Sequence, residues 1–210
     1  MKRRTGILVV MIMTTLTGLA QVIPVEVVVS DQDYRYQHFF AKELKPSSRF
    51  GMFHTHSMYA FHEKEKPTEM MSQVYVSYSI TQSLSALAGT FYASVPGFKA
   101  SGALQYKYIQ NDVFVLVAPR IDLWENPSYE LFALAEYRPA ISRHLSIYSR
   151  LQMMTNFTQT THNRSYQNLR VGLGKKSTQA GFSINYDQYG SEGHAVLSMG
   201  IFLRHELGQP

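Results

Sequence analysis

The chain has 210 residues, of which 45% are hydrophobic, 17% are charged and none is cysteine. The lack of cysteine excludes a disulfide framework, a thiolate metal site and a cysteine nucleophile. The formal net charge of +5 does not indicate a nucleic-acid partner. Lys2, Arg3 and Arg4 lie in the N-terminal segment, and the remaining Lys and Arg residues are scattered among acidic residues and form no basic run.

Residues 1–20 have the pattern of an export signal. A basic start is followed by an apolar core, Ile7 to Met13, and then by Gly18 and Ala20, the small-x-small pattern that a signal peptidase accepts. The apolar stretch is shorter than the roughly 20 residues that a membrane-spanning helix needs. We therefore expect a cleaved signal peptide over 1–20 and export of the mature chain, with a short buried helix or an anchor as the alternative.

Residues 21–49 combine an apolar, β-branched run with a polar and aromatic stretch, and Pro46-Ser47-Ser48 is a candidate linker. This composition fits a periplasmic extension, an inserted plug or an extra edge strand. We assign 21–49 as an N-terminal extension or plug and 50–207 as the β-barrel domain.

From residue 50 onwards, apolar side chains alternate with more polar or smaller side chains at a period of two, which is the pattern of β-strands. The clearest run is 112–123, where Val113, Val115 and Val117 fall on one face. There are ten candidate strands: 50–61, 72–80, 84–93, 100–109, 112–123, 128–138, 143–153 and three more in the C-terminal third.

The gaps between these strands are alternately short, as at Gln110-Asn111, and longer, as at 62–71 and 154–165. Short periplasmic turns alternating with long outer loops are typical of up-and-down outer-membrane barrels. We therefore predict an all-β, antiparallel transmembrane β-barrel of about ten strands.

One face of the strands carries Val, Leu, Ile and Ala, with Tyr129, Tyr137 and Tyr186 near strand ends. The other face carries Gly, Ser, Asn and Gln, with arginines and acids in near balance. We expect the first face to contact lipid and the second to line a crowded lumen. The alternative is a soluble periplasmic barrel with these faces exchanged, which would bind an apolar ligand inside.

Four segments carry a resemblance to a known group of proteins: PRIDLWENPSYELFALAEYRP (119–139), LSIYSRLQ (145–152), NRSYQNLRVGLG (163–174) and INYDQYG (184–190). Over roughly 50–205, the chain resembles an uncharacterised family of exported Bacteroidetes-type outer-membrane β-barrel proteins. The resemblance implies a fold and a location in the outer membrane, and it implies no activity.

Charged residues on the predicted lumen face are the candidate site. Their first interpretation is a structural ion-pair network that fills a narrow barrel, and their second is a selectivity constriction for anions. The predicted network consists of Lys107, Arg120, Asp122, Glu130, Glu136, Arg138, Arg150, Arg170, Asp187 and Arg204.

Metal binding and catalysis are weaker interpretations. His54 and His56 share a strand face and have His62 and Glu63 nearby, but two ligands at this spacing are common by chance. A rim hydrolase acting on peptide or lipid would have candidate residues near the long-loop end, without a triad signature. Those candidates are Asp122, Asp187, Glu130, His162 and His194. We assign no catalytic residue, no metal and no cofactor.

We expect a small, monomeric outer-membrane barrel with a structural, narrow passive-permeation or surface-binding role. Its expected partners are outer-membrane lipid and the outer-membrane assembly machinery, with no nucleic acid. Many such barrels end on an aromatic residue that the machinery recognises. This chain departs from that pattern, since Phe202 lies eight residues from the end.

Overall fold

Twelve antiparallel β-strands follow one another through the part of the chain that the computed structural model describes, residues 22–123 and 126–208. The predicted signal peptide lies outside these residues. No helix among the described residues is long and apolar enough to cross a membrane.

Each strand pairs with its neighbours in sequence, and β1 also pairs with β12, so the sheet closes into a barrel. The strands are β1 (Ile23–Ser30), β2 (Asp33–Glu43), β3 (Phe50–Phe61), β4 (Glu69–Ser79), β5 (Leu84–Ala93), β6 (Gly97–Gln110), β7 (Val113–Leu123), β8 (Ser128–Tyr137), β9 (Ser146–Phe157), β10 (His162–Lys175), β11 (Thr178–Tyr189) and β12 (His194–Leu207).

The predicted all-β barrel is confirmed, but it has twelve strands and not ten, because residues 21–49 are not an extension or plug. This segment supplies β1 and β2. Of the three alternatives for 21–49, the extra edge strand is the one nearest to this result. In β1, Val27 and Val29 are exposed while Glu26 and Ser30 are buried, which is the alternation of a barrel strand. With an even number of strands, β1 begins beside the end of β12; we call this the terminal end and its opposite the far end.

The predicted contrast between short and long loops is wrong. Connections are two to eight residues long at the terminal end and two to seven at the far end. The predicted long loop over 154–165 shrinks to 158–161, since β9 continues to Phe157 and β10 begins at His162. The polar residues at the ends of β9 and β10 continue the hydrogen-bonded ladder, although their composition is typical of a loop.

The predicted facing of the strands is confirmed. Arg120 and Arg150 are buried inside the barrel, whereas Val171, Phe182 and Leu203 are exposed on its outer surface. This contradicts the alternative of a soluble barrel with the aliphatic face inside.

Backbones approach closely where Gly172 of β10 faces Gly181 of β11. A methyl group added to Gly181 would lie 2.2 Å from the carbonyl oxygen of Val171 and 2.4 Å from the Cα of Gly172. Only glycine fits this contact without a shift of the backbone. By contrast, a methyl group on Gly102 would meet its nearest atom at 3.7 Å.

We expect Gly181→Ala to lower the free energy of unfolding by about 1–3 kcal/mol, because the added methyl overpacks two backbones. Urea titration of the folded barrel would measure the loss. Gly102→Ala is the matched control and should have almost no effect. Equal stability of the two variants would contradict the close approach of β10 and β11.

Candidate functional site

The carboxylate of Glu26 on β1 lies at the centre of the buried charges. Its Oε1 is 2.6 Å from Nη2 of Arg150 on β9 and 3.0 Å from Nε of Arg170 on β10. Gln37 donates a further hydrogen bond to the same oxygen at 3.1 Å. All three charged side chains are 2% exposed, so each depends on the others for compensation of its charge.

Two further clusters extend this network along the same side of the lumen. Towards the far end, Arg35 bridges Asp33 at 2.9 Å and Asp187 at 3.0 Å. Towards the terminal end, Glu206 accepts hydrogen bonds from Arg138 at 2.6 Å and Arg204 at 2.7 Å. Arg138 also pairs with Glu136. The Arg35–Asp187 contact joins β2 to β11, and the Arg138–Glu206 contact joins the end of β8 to β12. Neither pair of strands is adjacent in the sheet, so both contacts cross part of the lumen.

A separate cluster surrounds Arg120 on β7. Its Nη2 lies 2.7 Å from Glu130 and 3.3 Å from Asp122, and its guanidinium stacks 4.0 Å above the Phe91 ring. Ser128 donates to Asp122 at 2.8 Å. The two carboxylates thus share one guanidinium group.

One ion pair crosses the barrel near its far end. Arg164 of β10 contacts Glu69 of β4 at 2.9 Å and Asp187 at 2.7 Å. Going round the barrel in either direction, β4 and β10 are six strands apart, so the Glu69–Arg164 bridge follows a diameter. Three tyrosine rings surround the Arg164 guanidinium, those of Tyr189 at 4.7 Å, Tyr59 at 5.1 Å and Tyr166 at 5.7 Å.

The space that remains inside the barrel lies off-centre. A chamber of about 530 Å³ at the far end is bordered by Glu69, Arg164 and Glu130. A second cavity of about 110 Å³ lies deeper, and its lining includes Phe39, Phe53, Leu87, Leu116, Phe132 and Leu134. The two share Ser57, Tyr59, Met71, Glu130, Met154 and Tyr166 in their walls. The predicted polar lumen is thus polar on one side and largely apolar on the other.

Nine of the ten residues predicted for the lumen network take part in buried or half-buried ion pairs: Arg120, Asp122, Glu130, Glu136, Arg138, Arg150, Arg170, Asp187 and Arg204. Lys107 does not join them, because it is exposed near the terminal end and has no ion pair among the described residues.

The sequence prediction missed the residues that complete the network: Glu26, Asp33, Arg35, Glu69, Arg164 and Glu206. Three of them belong to β1 and β2, in the segment predicted to be an N-terminal extension or plug. The available signal was a lone acid, Glu26, at an alternating position in a run of valines.

The histidines of β3 lie on the outer surface. His54 and His56 share a face as predicted, and His38 of β2 is the direct partner of His56. The His38 ring lies 5.1 Å from the ring of His54 and 5.7 Å from that of His56. No group of three or more His, Cys, Asp or Glu in the described part of the chain is arranged to hold a metal ion.

The structure does not join the residues considered for a rim hydrolase. Asp122 and Glu130 contact Arg120, and Asp187 contacts Arg35 and Arg164. Nε2 of His194 lies 3.3 Å from Oε2 of Glu192 on the exposed surface.

His162 has a different partner, which the sequence prediction did not identify. Its Nε2 lies 2.8 Å from Oγ of Ser165, and its Nδ1 lies 2.9 Å from the carbonyl oxygen of Gly190.

No protein-family model matches the chain, and neither does any curated protein. Among solved structures, the NanC porin is similar with a TM-score of 0.52 and 8% identity, over 90% of this chain and 100% of that one. The KdgM porin in complex with disordered oligogalacturonate is similar with a TM-score of 0.51 and 10% identity, over 88% and 98%. LpxR from Salmonella typhimurium has a TM-score of 0.45 and 10% identity, over 88% and 99%. This chain has the fold of the two porins.

We expect Glu26→Gln to lower the free energy of unfolding by about 3–5 kcal/mol, because it leaves two buried guanidinium groups without their carboxylate. Urea titration would measure the loss. The control is Glu63→Gln, since Glu63 and its partner Lys66 are 57% and 50% exposed. That change should alter stability by about 1 kcal/mol or less. Similar losses in both variants would show that the Glu26 contacts do not stabilise the barrel.

Proposed function

We propose that this protein is an outer-membrane β-barrel that forms a narrow, off-centre passage for small solutes. The location is supported by the outer surface, where aliphatic side chains such as Val27, Leu169 and Ile201 are exposed. A closed barrel also satisfies the backbone hydrogen bonds of every strand, as a hydrocarbon environment requires. The fold shared with the NanC and KdgM porins agrees with both parts of the proposal.

The observation that carries the proposal is that the far-end chamber and the deeper cavity are adjacent and share six residues of their walls. A barrel of twelve strands could enclose a wider lumen than one of eight to ten. Here the Glu26–Arg150 contact ties β1 to β9 across the lumen, and the clusters of Arg35 and Arg204 fill the space beside it. The deeper cavity therefore lies on the side lined mainly by β2 to β9, while the far-end chamber extends to β10 and β11.

The walls of this passage favour small amphiphilic solutes. Phe53, Leu116 and Phe132 form an apolar side, while Arg120 and Glu130 form a polar edge whose charges are already paired. A strongly charged solute would lose hydration at the apolar side without gaining an unpaired partner at the polar edge. At about 110 Å³, the deeper cavity is smaller than the roughly 150 Å³ cavity that binds benzene, so it limits the passage to solutes smaller than a benzene ring.

The proposed outer-membrane location agrees with the location that the family resemblance implies. Membership of that exported family stays a prediction. Contacts with outer-membrane lipid and with the assembly machinery follow from the proposed location, and they too stay predictions, as does the monomeric state.

Val117 lies near the middle of β7 on the outer face, and Val113 lies on the same face at the end of the strand. If the outer face contacts lipid, Val117→Arg should cost about 2–4 kcal/mol and impair insertion, whereas Val113→Arg should cost about 0–1 kcal/mol. Urea titration in vesicles and the amount of folded protein in the outer-membrane fraction would measure both. Normal insertion and stability of Val117→Arg would contradict the membrane location.

The purified protein in planar bilayers should show small, discrete conductance steps. Glu69→Gln should enlarge these steps, because it removes the charge that holds Arg164 across the far-end chamber while Arg164 keeps its contact with Asp187. Glu63→Gln, in the adjacent β3–β4 connection, is the control and should leave the steps unchanged. Absence of conductance from folded wild-type protein would contradict the passage, and unchanged steps in Glu69→Gln would contradict the role of the bridge.

A further inference from the structure

Ser165 and His162 meet at the far end of β10, with Oγ and Nε2 2.8 Å apart. In a regular strand, residues three apart point to opposite faces. The pairing of β10 with β9 is irregular between His162 and Arg164, and this extra residue allows the two side chains to meet. The contact is therefore a product of the irregularity and is not expected from the spacing alone.

The second ring nitrogen of His162 sets the proton position. Nδ1 lies 2.9 Å from the carbonyl oxygen of Gly190, which can only accept a hydrogen bond. Nδ1 therefore carries the proton, which leaves Nε2 of the neutral imidazole as an acceptor 2.8 Å from Oγ of Ser165. A hydroxyl, a base and a group that orients the base are the parts of an activated serine nucleophile.

The surroundings of Ser165 indicate which substrate could reach it. Ser165 precedes the buried Tyr166, so its own side chain points outward, on the same face as Leu169 and Val171. Phe157, the β9 partner of His162, is exposed and stacks on the Tyr129 ring at 5.8 Å. The hydroxyl thus lies at the rim beside an apolar surface on which a hydrocarbon chain can rest.

We propose that Ser165 and His162 hydrolyse the acyl esters of membrane lipid at the far-end rim. Oγ of Ser165 attacks the carbonyl carbon of the ester, and Nε2 of His162 takes the hydroxyl proton. The carbon–oxygen bond to the lipid alcohol then breaks, and His162 gives the proton to this leaving group. Water, with His162 again as the base, attacks the acyl-serine, releases the fatty acid and restores the serine hydroxyl.

Thr155 is a positioning residue in this scheme. Its Oγ1 accepts a hydrogen bond from the Ser165 hydroxyl at 2.8 Å, and Thr155 is the direct β9 partner of Ser165. The hydroxyl therefore has two acceptors within reach, Thr155 Oγ1 and His162 Nε2. This contact holds the hydroxyl at the height of His162 Nε2.

The test uses the full-length purified protein in phospholipid vesicles that contain a fluorogenic ester phospholipid. Wild-type protein should release fatty acid, and Ser165→Ala and His162→Ala should each lower the rate at least about 100-fold. The matched control is Ser149→Ala, which removes an outward serine of β9 whose hydroxyl donates to the carbonyl of Tyr137 at 3.3 Å. This control should keep the wild-type rate.

A second measurement uses only the wild-type protein, so it does not require that any variant folds. A fluorophosphonate should label the folded wild-type protein once, and peptide mass spectrometry should locate the label on Ser165. Release of fatty acid no faster than in protein-free vesicles would overturn the proposal. So would an unchanged rate in Ser165→Ala, or the absence of the label from Ser165. These measurements are independent of conductance, so they decide the activity whether or not the barrel conducts.

Discussion

The structure depends on a single carboxylate that compensates two arginines across the lumen. Glu26 reaches from β1 to Arg150 on β9 and Arg170 on β10, and all three side chains are buried. Burial of one such charge alone would be strongly unfavourable, so the three groups must be ordered together. Because β1 lies three strands from β10 and four from β9, their contact also determines how closely these strands approach inside the barrel.

This constraint explains how a twelve-stranded barrel can have so little open space. Ion pairs and the side chains that hydrogen-bond to them fill one side, and the cavities lie on the other side, against phenylalanine and leucine residues. The division separates two tasks. The charged side joins non-neighbouring strands and keeps the barrel rigid, while part of the apolar side borders the cavities, where the proposed passage would carry a solute. The Arg164–Glu69 bridge lies where the two sides meet.

Much of the fold could be predicted from alternation, and the strongest case is β7 to β12, where arginines and acids fall on one face and aliphatic residues on the other. The first two strands are harder to predict from alternation. In β2 the aromatic and histidine side chains lie on both faces, so Tyr36, His38 and Phe39 show no contrast of polarity. The strand ends around Phe157 and His162 are polar and look like loop. The pairs of the network could not be predicted at all, because contacts such as that between Arg35 and Asp187 depend on the three-dimensional closure of the sheet.

The seam between β1 and β12 has a consequence for the order in which the protein can acquire its structure. It pairs Ile23 with Leu207, residues from the two ends of the described chain, and contacts between residues so distant in sequence form slowly. Every other strand pair joins sequence neighbours and can form as a hairpin. Glu26 lies on the first strand of that seam, so an intermediate in which β1 has not docked carries Arg150 and Arg170 without their carboxylate. Closure and neutralisation therefore occur in the same late step, which makes assembly cooperative and disfavours a barrel that is only partly shut.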